Sequence, residues 1–262
     1  MTELTKRLAA VAALLSLAGC GGLADAASDA EAPAATPAET LTKGVPTSSA
    51  EAFHYAIKGG VQPLIGVVDA GHKAMTTEIS EKIPDGGFTL TMKFMVIGDD
   101  SWAHVSFGSA PASLGLPKLP KKWMKLDPKK LGDDASKDLT YTGQTDPGYV
   151  SALITAATGL TESSAGHYAG TVDLTKVTEA EIVDKDTLTA LGAKAAAVPF
   201  EAVLDAKGRI STATVKIPAA GKTKAATYQV TYDQYGSAES PATPAAADQV
   251  AAPKAAYDLL NG

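Results

Sequence analysis

Phe88-Thr89-Leu90-Thr91-Met92-Lys93-Phe94 is the stretch on which the fold turns. Phe88, Leu90, Met92 and Phe94 alternate without a break with Thr89, Thr91 and Lys93. In an extended chain successive side chains point to opposite faces, so the pattern predicts a strand with one apolar and one polar side. Turn signals bracket it. Pro84-Asp85-Gly86-Gly87 precedes the stretch, and Gly98-Asp99-Asp100 turns the chain into a second strand, Ser101 to Phe107, that carries Trp102. The two strands read as a hairpin.

Working outward, His72 to Ile83 is another β-compatible run, and Lys122-Trp123-Met124-Lys125-Leu126-Asp127 a shorter one, with Pro128 opening a helical turn. The last third reads as a meander. Val198 to Leu204 leads through Asp205-Ala206-Lys207-Gly208 into Arg209 to Ile217, and a turn at Gly221 leads into Ala226 to Tyr232. Gly208 sits where such a hairpin needs a positive φ. A strand is also expected over His167 to Asp173. Helices are expected in three places. The first begins at Ser48 or Ser49 and carries Phe53, Ala56 and Ile57, with a further helical piece favoured over Val61 to Val68. The second runs from Tyr149 to Ala157 and ends at Gly159. The third opens at Thr178-Glu179-Ala180-Glu181, which resembles a capping box, and closes at Gly192. About seven or eight strands and three helices are expected in total.

The N-terminus reads as an address. Lys6 and Arg7 precede an apolar run from Leu8 to Leu17. That run is too short for a membrane span, which needs roughly 20 residues, but it suits a signal peptide. Leu17-Ala18-Gly19-Cys20 resembles the bacterial lipobox, which implies diacylglyceryl transfer to the Cys20 sulfur and cleavage before Cys20. The other reading is an ordinary secretory signal with an incidental cysteine. Cys20 is the only cysteine of the chain, so no disulfide can form within it. Three divisions follow: a leader over 1–19, a lipidated Cys20 with a disordered tether over 20–48, and one folded domain over 49–262. The tether is rich in Ala, Thr and Pro and has no sustained period, so it has little apolar surface to set against its ordering entropy. Thr36, Thr40 and Thr42 within it are candidate glycosylation sites. The expected location is the extracytoplasmic face of a cell membrane.

Composition narrows the function classes. The chain has 262 residues, 45% hydrophobic and 20% charged, with a formal net charge of −6. An acidic chain is poorly suited to nucleic acid, whose binding depends on phosphate neutralisation by Lys and Arg. The four histidines, His54, His72, His104 and His167, stand singly, without zinc-ligand spacing. Asp99-Asp100 and Asp133-Asp134 lack the calcium-loop spacing. Neither a nucleophile elbow nor a phosphate loop is present. The expectation is a non-enzymatic protein with no metal site and no cofactor. Lys121-Lys122 and Lys129-Lys130 flank Trp123, which reads either as a soluble rim with Trp123 in the core or as a membrane-facing lip.

Five features together resemble an actinobacterial lipoprotein family. They are the lipobox and tether, Gly98-Asp99-Asp100-Ser101-Trp102, Lys121-Lys122-Trp123-Met124-Lys125-Leu126-Asp127, Leu204 to Ile210, and Asp233-Gln234-Tyr235-Gly236 with Pro241. The family is the mycobacterial-type LppX/LprA/LprF/LprG lipoproteins with their LolA/LolB-like fold. The resemblance spans roughly residues 49 to 253. It implies an α+β domain in which a curved antiparallel half-barrel sheet has helices across its concave face, holding acyl chains of a lipid or glycolipid. The apolar strand face Phe88, Leu90, Met92 and Phe94 would line such a cavity or, equally, fill a closed core. The expected function is binding or carrying a lipid or other apolar ligand at a membrane. The alternative is a filled domain acting through protein contacts, with no partner indicated.

Overall fold

The alternation at Phe88–Phe94 lies within a ten-residue strand of a single sheet, seen in a computed structural model that describes residues 34–261. The strands are β1 Phe53–Lys58, β2 Leu64–Asp69, β3 Ala74–Ile83, β4 Phe88–Ile97, β5 Asp100–Ser106 and β6 Trp123–Lys125, followed by β7 Ala157–Ser164, β8 His167–Val172, β9 Val198–Leu204, β10 Ile210–Ile217, β11 Ala226–Asp233 and β12 Gln249–Ala251. They form one twelve-stranded sheet in the order β12-β6-β5-β4-β3-β2-β1-β11-β10-β9-β8-β7. Every neighbouring pair is antiparallel except β12 with β6. The sheet is open, because its edge strands β12 and β7 do not pair with each other. The helices are α1 Pro37–Gly44, α2 Asp133–Asp138, α3 Val150–Thr155, α4 Lys185–Leu191 and α5 Lys254–Leu260. An α+β class with an open, mostly antiparallel sheet and a few short helices therefore holds.

The register keeps one apolar face continuous across the strands. From Phe94 it passes to Thr77 on β3, Gly66 on β2, Tyr55 on β1, Tyr232 on β11 and onward to Ala213 on β10 and Ala202 on β9. The buried side chains of α1, α3 and α4 (Leu41, Val150, Leu153, Ile154 and Leu191) pack over β1 and β8–β11 in one hydrophobic core. Leu139, just after α2, and Ala256 and Tyr257 of α5 pack over Ala103, Val105 and Met124 in a second. All five helices thus sit on the same face. The opposite face carries cross-strand polar pairs, among them Lys93–Glu78 at 2.7 Å and His54–Asp233 at 2.8 Å. Such pairs contribute tenths of a kcal/mol each and keep that face wet.

A cluster of phenols and one carboxylate sets the position of α3. The Tyr232 hydroxyl donates to Asp146, whose two oxygens accept the Val150 and Ser151 amides at 2.9 and 2.7 Å. Tyr228 donates to the Gly148 carbonyl at 3.1 Å. Burial, then the charge of Asp146, pushes both phenols well above their ordinary pKa. They stay neutral donors that tie β11 to the start of the helix.

On the wet face a proline-containing strap, residues 234–248, covers Trp102, whose indole donates to Gln249 at 2.9 Å. Asp69, 5% exposed, fastens the strap's Ser240 and also accepts from the His72 ring at 2.7 Å. Burial pushes the Asp69 carboxyl up, but the donors from Ser240 and His72 outweigh it and hold it below its usual range.

Several expectations are corrected. The folded part takes in α1, because Leu41 is fully buried and Thr36 and Glu39 form a reciprocal cap; residues 35–262 form one compact unit, so the boundary expected at 49 lies too late. Thr36 is the cap of α1 and Thr40 and Thr42 lie within it. The helix expected over 49–57 and the helical piece over 61–68 are β1 and β2. Phe53 and Ile57 fit both periods, but Tyr55 completes the alternation and strands pair on either side of β1. The helix expected from Thr178 begins only at Lys185, because Glu181 turns left-handed (φ 45°) and Asp184 supplies the cap to Thr187 at 2.6 Å. α3 ends at Thr155, not Gly159, which lies inside β7 at a shift of register. Twelve strands and five helices among the described residues exceed the expected count, since β7 and β12 carry no clear alternation. Cys20 and the leader lie outside the described residues.

Gly66 shows how tightly the central strands meet. A Cβ there would stand 1.9 Å from the Thr76 carbonyl oxygen and 2.7 Å from the Tyr55 hydroxyl oxygen. The bare backbone lets the Tyr55 hydroxyl bond to Thr76 and Thr77 on β3. Gly66→Ala is expected to lower unfolding free energy by about 3 kcal/mol, read as the urea midpoint, whereas Gly87→Ala in the open β3–β4 turn is expected to cost about 1 kcal/mol through its positive φ alone.

Candidate functional site

The two cores do not meet. Between them, over β2, β3 and β4, the apolar face is half-buried, and a cleft of about 510 Å³ opens there. Its floor is Leu64, Met75, Ile79, Met92, Phe94 and Val96, which the register places side by side on the helix-bearing face. Its cover is Ala135 of α2, Leu139, and Leu259 and Leu260 of α5. Gln62 and Thr77 are the polar side chains in this lining among the described residues. The volume lies within the range of small-molecule sites, roughly 300–1,000 Å³.

A second cleft of about 410 Å³ shares Leu64, Met75 and Thr77 with the first. It is polar on its far side, where Thr140, Tyr141, Thr142 and Gln144 line it. Burial pushes the Tyr55 phenol up to about 12, against the hydrogen bond from Thr77. Burial, with the Asp69 charge adding to it, also holds Tyr141 above its ordinary value. This end therefore offers hydroxyls and an amide, together with Lys137 and Glu181, beside an apolar trough. That arrangement suits a ligand with a long apolar part and a polar end.

The four strand residues expected to face a ligand divide. Met92 and Phe94 line the cleft and also pack against the edge of the second core. Leu90 packs on the second core without lining the cleft. Phe88 meets Phe107 edge to face at 6.3 Å, beyond the cleft. Leu64, Met75, Ile79 and Val96 were not singled out from sequence, although Ile79 and Val96 continue the alternation of β3 and β4. The cover was legible only once α5 and its packing were known.

Trp123 is not in the core. It is half-buried on the wet face, edge-on to His104 at 5.9 Å, and its neighbour Met124 is the buried residue. Asp69, His72 and Ser240 bring together the residue types of a hydrolase triad, but His72 and Ser240 both bond to the carboxylate, the wiring of a fastened strap. No three His, Cys, Asp or Glu side chains among the described residues group to hold a metal ion. No helix among them is long and apolar enough to cross a membrane.

Comparison with known proteins adds little. No family model and no curated protein matches the chain. A LolA superfamily protein of known structure from Nitrosomonas europaea is similar at 10% identity with a TM-score of 0.22, over 78% of this chain and 93% of that one. So slight a likeness carries no argument, and the fold is read from the register and the two cores.

Asn261 and Tyr257 hold the cover to the segment before α2, the Tyr257 hydroxyl accepting from the Asp127 amide at 2.8 Å. Asn261 accepts from the Gly132 amide at 2.8 Å and donates to the Lys130 carbonyl at 3.0 Å, joining the end of α5 to the start of α2. Helices of six and seven residues are marginal alone. Asn261→Ala is expected to speed amide exchange in α5 about fivefold, the equivalent of about 1 kcal/mol, with exchange in β10 unchanged.

Proposed function

We propose that this protein is a non-enzymatic, lipid-anchored envelope protein that binds or carries a lipid or another apolar molecule in the cleft over β2–β4. One observation carries the reading. The sheet presents an unbroken apolar face, yet its middle is neither packed by a helix nor turned to polar residues. Five large apolar side chains, Leu64, Met75, Ile79, Met92 and Phe94, are left half-covered beneath a short two-helix cover, with Val96 buried beside them. Exposed apolar surface of this kind is unfavourable by about 25 cal/mol per Å², so an apolar occupant stabilises the protein. Methionine suits such a wall because it repacks around irregular shapes, and two line it, Met75 opposite Val96 and Met92 opposite Ile79. Removing an acyl chain from a bilayer costs about 0.8 kcal/mol per CH₂, which an enclosed apolar trough can offset.

The anchor follows from the N-terminal sequence. Lipidation of Cys20 would hold the domain at the extracytoplasmic face of a membrane, within reach of lipids. The Cys20→Ala chain is expected to leave the membrane fraction and retain the fold, because both cores are built from residues after Cys20, Leu41 being the first buried one among the described residues. Membrane retention of that variant would sink anchoring through this residue.

Occupancy of the cleft is tested by native mass spectrometry of protein purified from its own host, together with uptake of a fluorescent fatty acid. A lipid mass that survives purification and saturable uptake are expected. Met92→Trp fills the trough and is expected to abolish uptake while changing stability by less than about 1 kcal/mol, since the space is available. A filled core would instead lose about 1–3 kcal/mol to overpacking, which would favour a domain that acts through protein contacts.

A further inference from the structure

Residues 108–132 differ from the rest of the chain. In a protein of net charge −6, this stretch holds six lysines (118, 121, 122, 125, 129 and 130) against one acid, Asp127. All six are exposed. Three are held in place: Lys125 pairs with Asp100 at 2.9 Å, Lys122 donates to the Ala247 carbonyl at 2.6 Å, and Lys130 lies over the Tyr257 ring at 5.5 Å. Lys118, Lys121 and Lys129 have no side-chain partner among the described residues. The segment is too short to scatter them. Lys121 and Lys129 are eight residues apart, at most about 28 Å of chain.

The same stretch exposes apolar surface in an ordered way. Phe107 and Leu119 pack on the second core and fix the two ends of the loop. A single 3-10 turn, Ala112–Leu114, closed by Gly115 in the left-handed region, presents Leu114 at 44% exposure. Leu114 is one of three large apolar side chains so exposed among the described residues. A solvated rim accounts for lysines, but not for a leucine held outward on a built turn beside them.

We infer that residues 108–132 form a docking surface for a bilayer with anionic head groups. The unpaired lysines meet the negative surface, and the Leu114 turn enters its interfacial layer. Clusters of four to eight basic residues bind anionic membranes with about fivefold affinity per residue near the surface. Leu131 at the end of the stretch packs on the second core, as do Leu90, Met92 and Phe94 of the strand that floors the cleft. The inference does not rest on the cleft's being occupied, because vesicle binding and ligand uptake are read separately.

Residues 35–262 form one compact unit that contains both cores, so this unit is the protein to test, free of the N-terminal anchor. It is expected to co-sediment with phosphatidylcholine vesicles containing phosphatidylglycerol and not with phosphatidylcholine alone, and to be released at about 0.5 M salt. Lys118→Gln, Lys121→Gln and Lys129→Gln together are expected to weaken binding at least tenfold. Lys207→Gln, Lys222→Gln and Lys224→Gln together remove as much charge elsewhere and are expected to change it less than twofold. Leu114→Ser is expected to weaken what binding persists at moderate salt. Equal binding to both vesicle types, equal loss in the two triple variants, or binding only to a soluble polyanion such as heparin would each overturn the inference.

Discussion

The structure depends on a mismatch between how much apolar sheet face exists and how much the helices can cover. The register that begins at Phe94 and runs through Tyr55, Tyr232 and Ala213 keeps a mostly apolar face on one side of the strands from β5 through β4, β3, β2, β1, β11 and β10 to β9. The twelve-stranded sheet extends roughly 50 Å in the direction of its hydrogen bonds. The helices available to it have six to eight residues each, or about 9–12 Å of length. They cannot cover it. Three gather over one end and two help cover the other, and the stretch between becomes the cleft.

Each end is fastened by polar contacts that leave the middle alone. Asp146, shared between Tyr232 and the first amides of α3, makes the larger core rigid where helix meets sheet. Asn261 ties α5 to the segment before α2 through exposed hydrogen bonds, and the Tyr257 hydroxyl accepts from the Asp127 amide at 2.8 Å. Ala256 and Tyr257 anchor α5 in the second core, so the cover over the cleft is short but fastened. On the far face, the strap is held to Asp69 through Ser240 and to Gln249 through the Pro244 carbonyl, and it leads the chain into β12, whose Gln249 accepts from the Trp102 indole, and on into α5. Strap, edge strand and cover form one continuous run of chain.

Much of the sheet was legible in sequence. β4 announced itself because its two faces are of pure type from Phe88 to Phe94, and Gly208 marked the β9–β10 turn with the positive φ it was expected to need. β1 was misread because Phe53, Ala56 and Ile57 satisfy a helical period as well as Phe53, Tyr55 and Ile57 satisfy a strand. Pairing with β2 and β11 decided it, and pairing is not local. α1 escaped notice because a single leucine, Leu41, carries its burial within an Ala/Thr/Pro composition typical of linkers. Half of the candidate site could be foreseen, since Met92 and Phe94 follow from the alternation. The other half follows from where helices are missing, and no residue spells that out. The same alternation placed Phe88 and Leu90 with Met92 and Phe94, yet only the position of α5 and of Leu139 separates cleft from core.

The central claim is that the middle of the sheet face is an apolar binding site and the ends are filled core. Methyl NMR of methionine-labelled protein tests it directly, because nature has placed the probes. Met75 and Met92 line the cleft, Met124 is buried in the second core and Met95 lies on the opposite face. On titration with a lysophospholipid below its micellar concentration, the account predicts saturable shifts of the Met75 and Met92 methyls, with Met95 and Met124 unmoved. No shift at Met75 and Met92, or equal movement of all four, would contradict it.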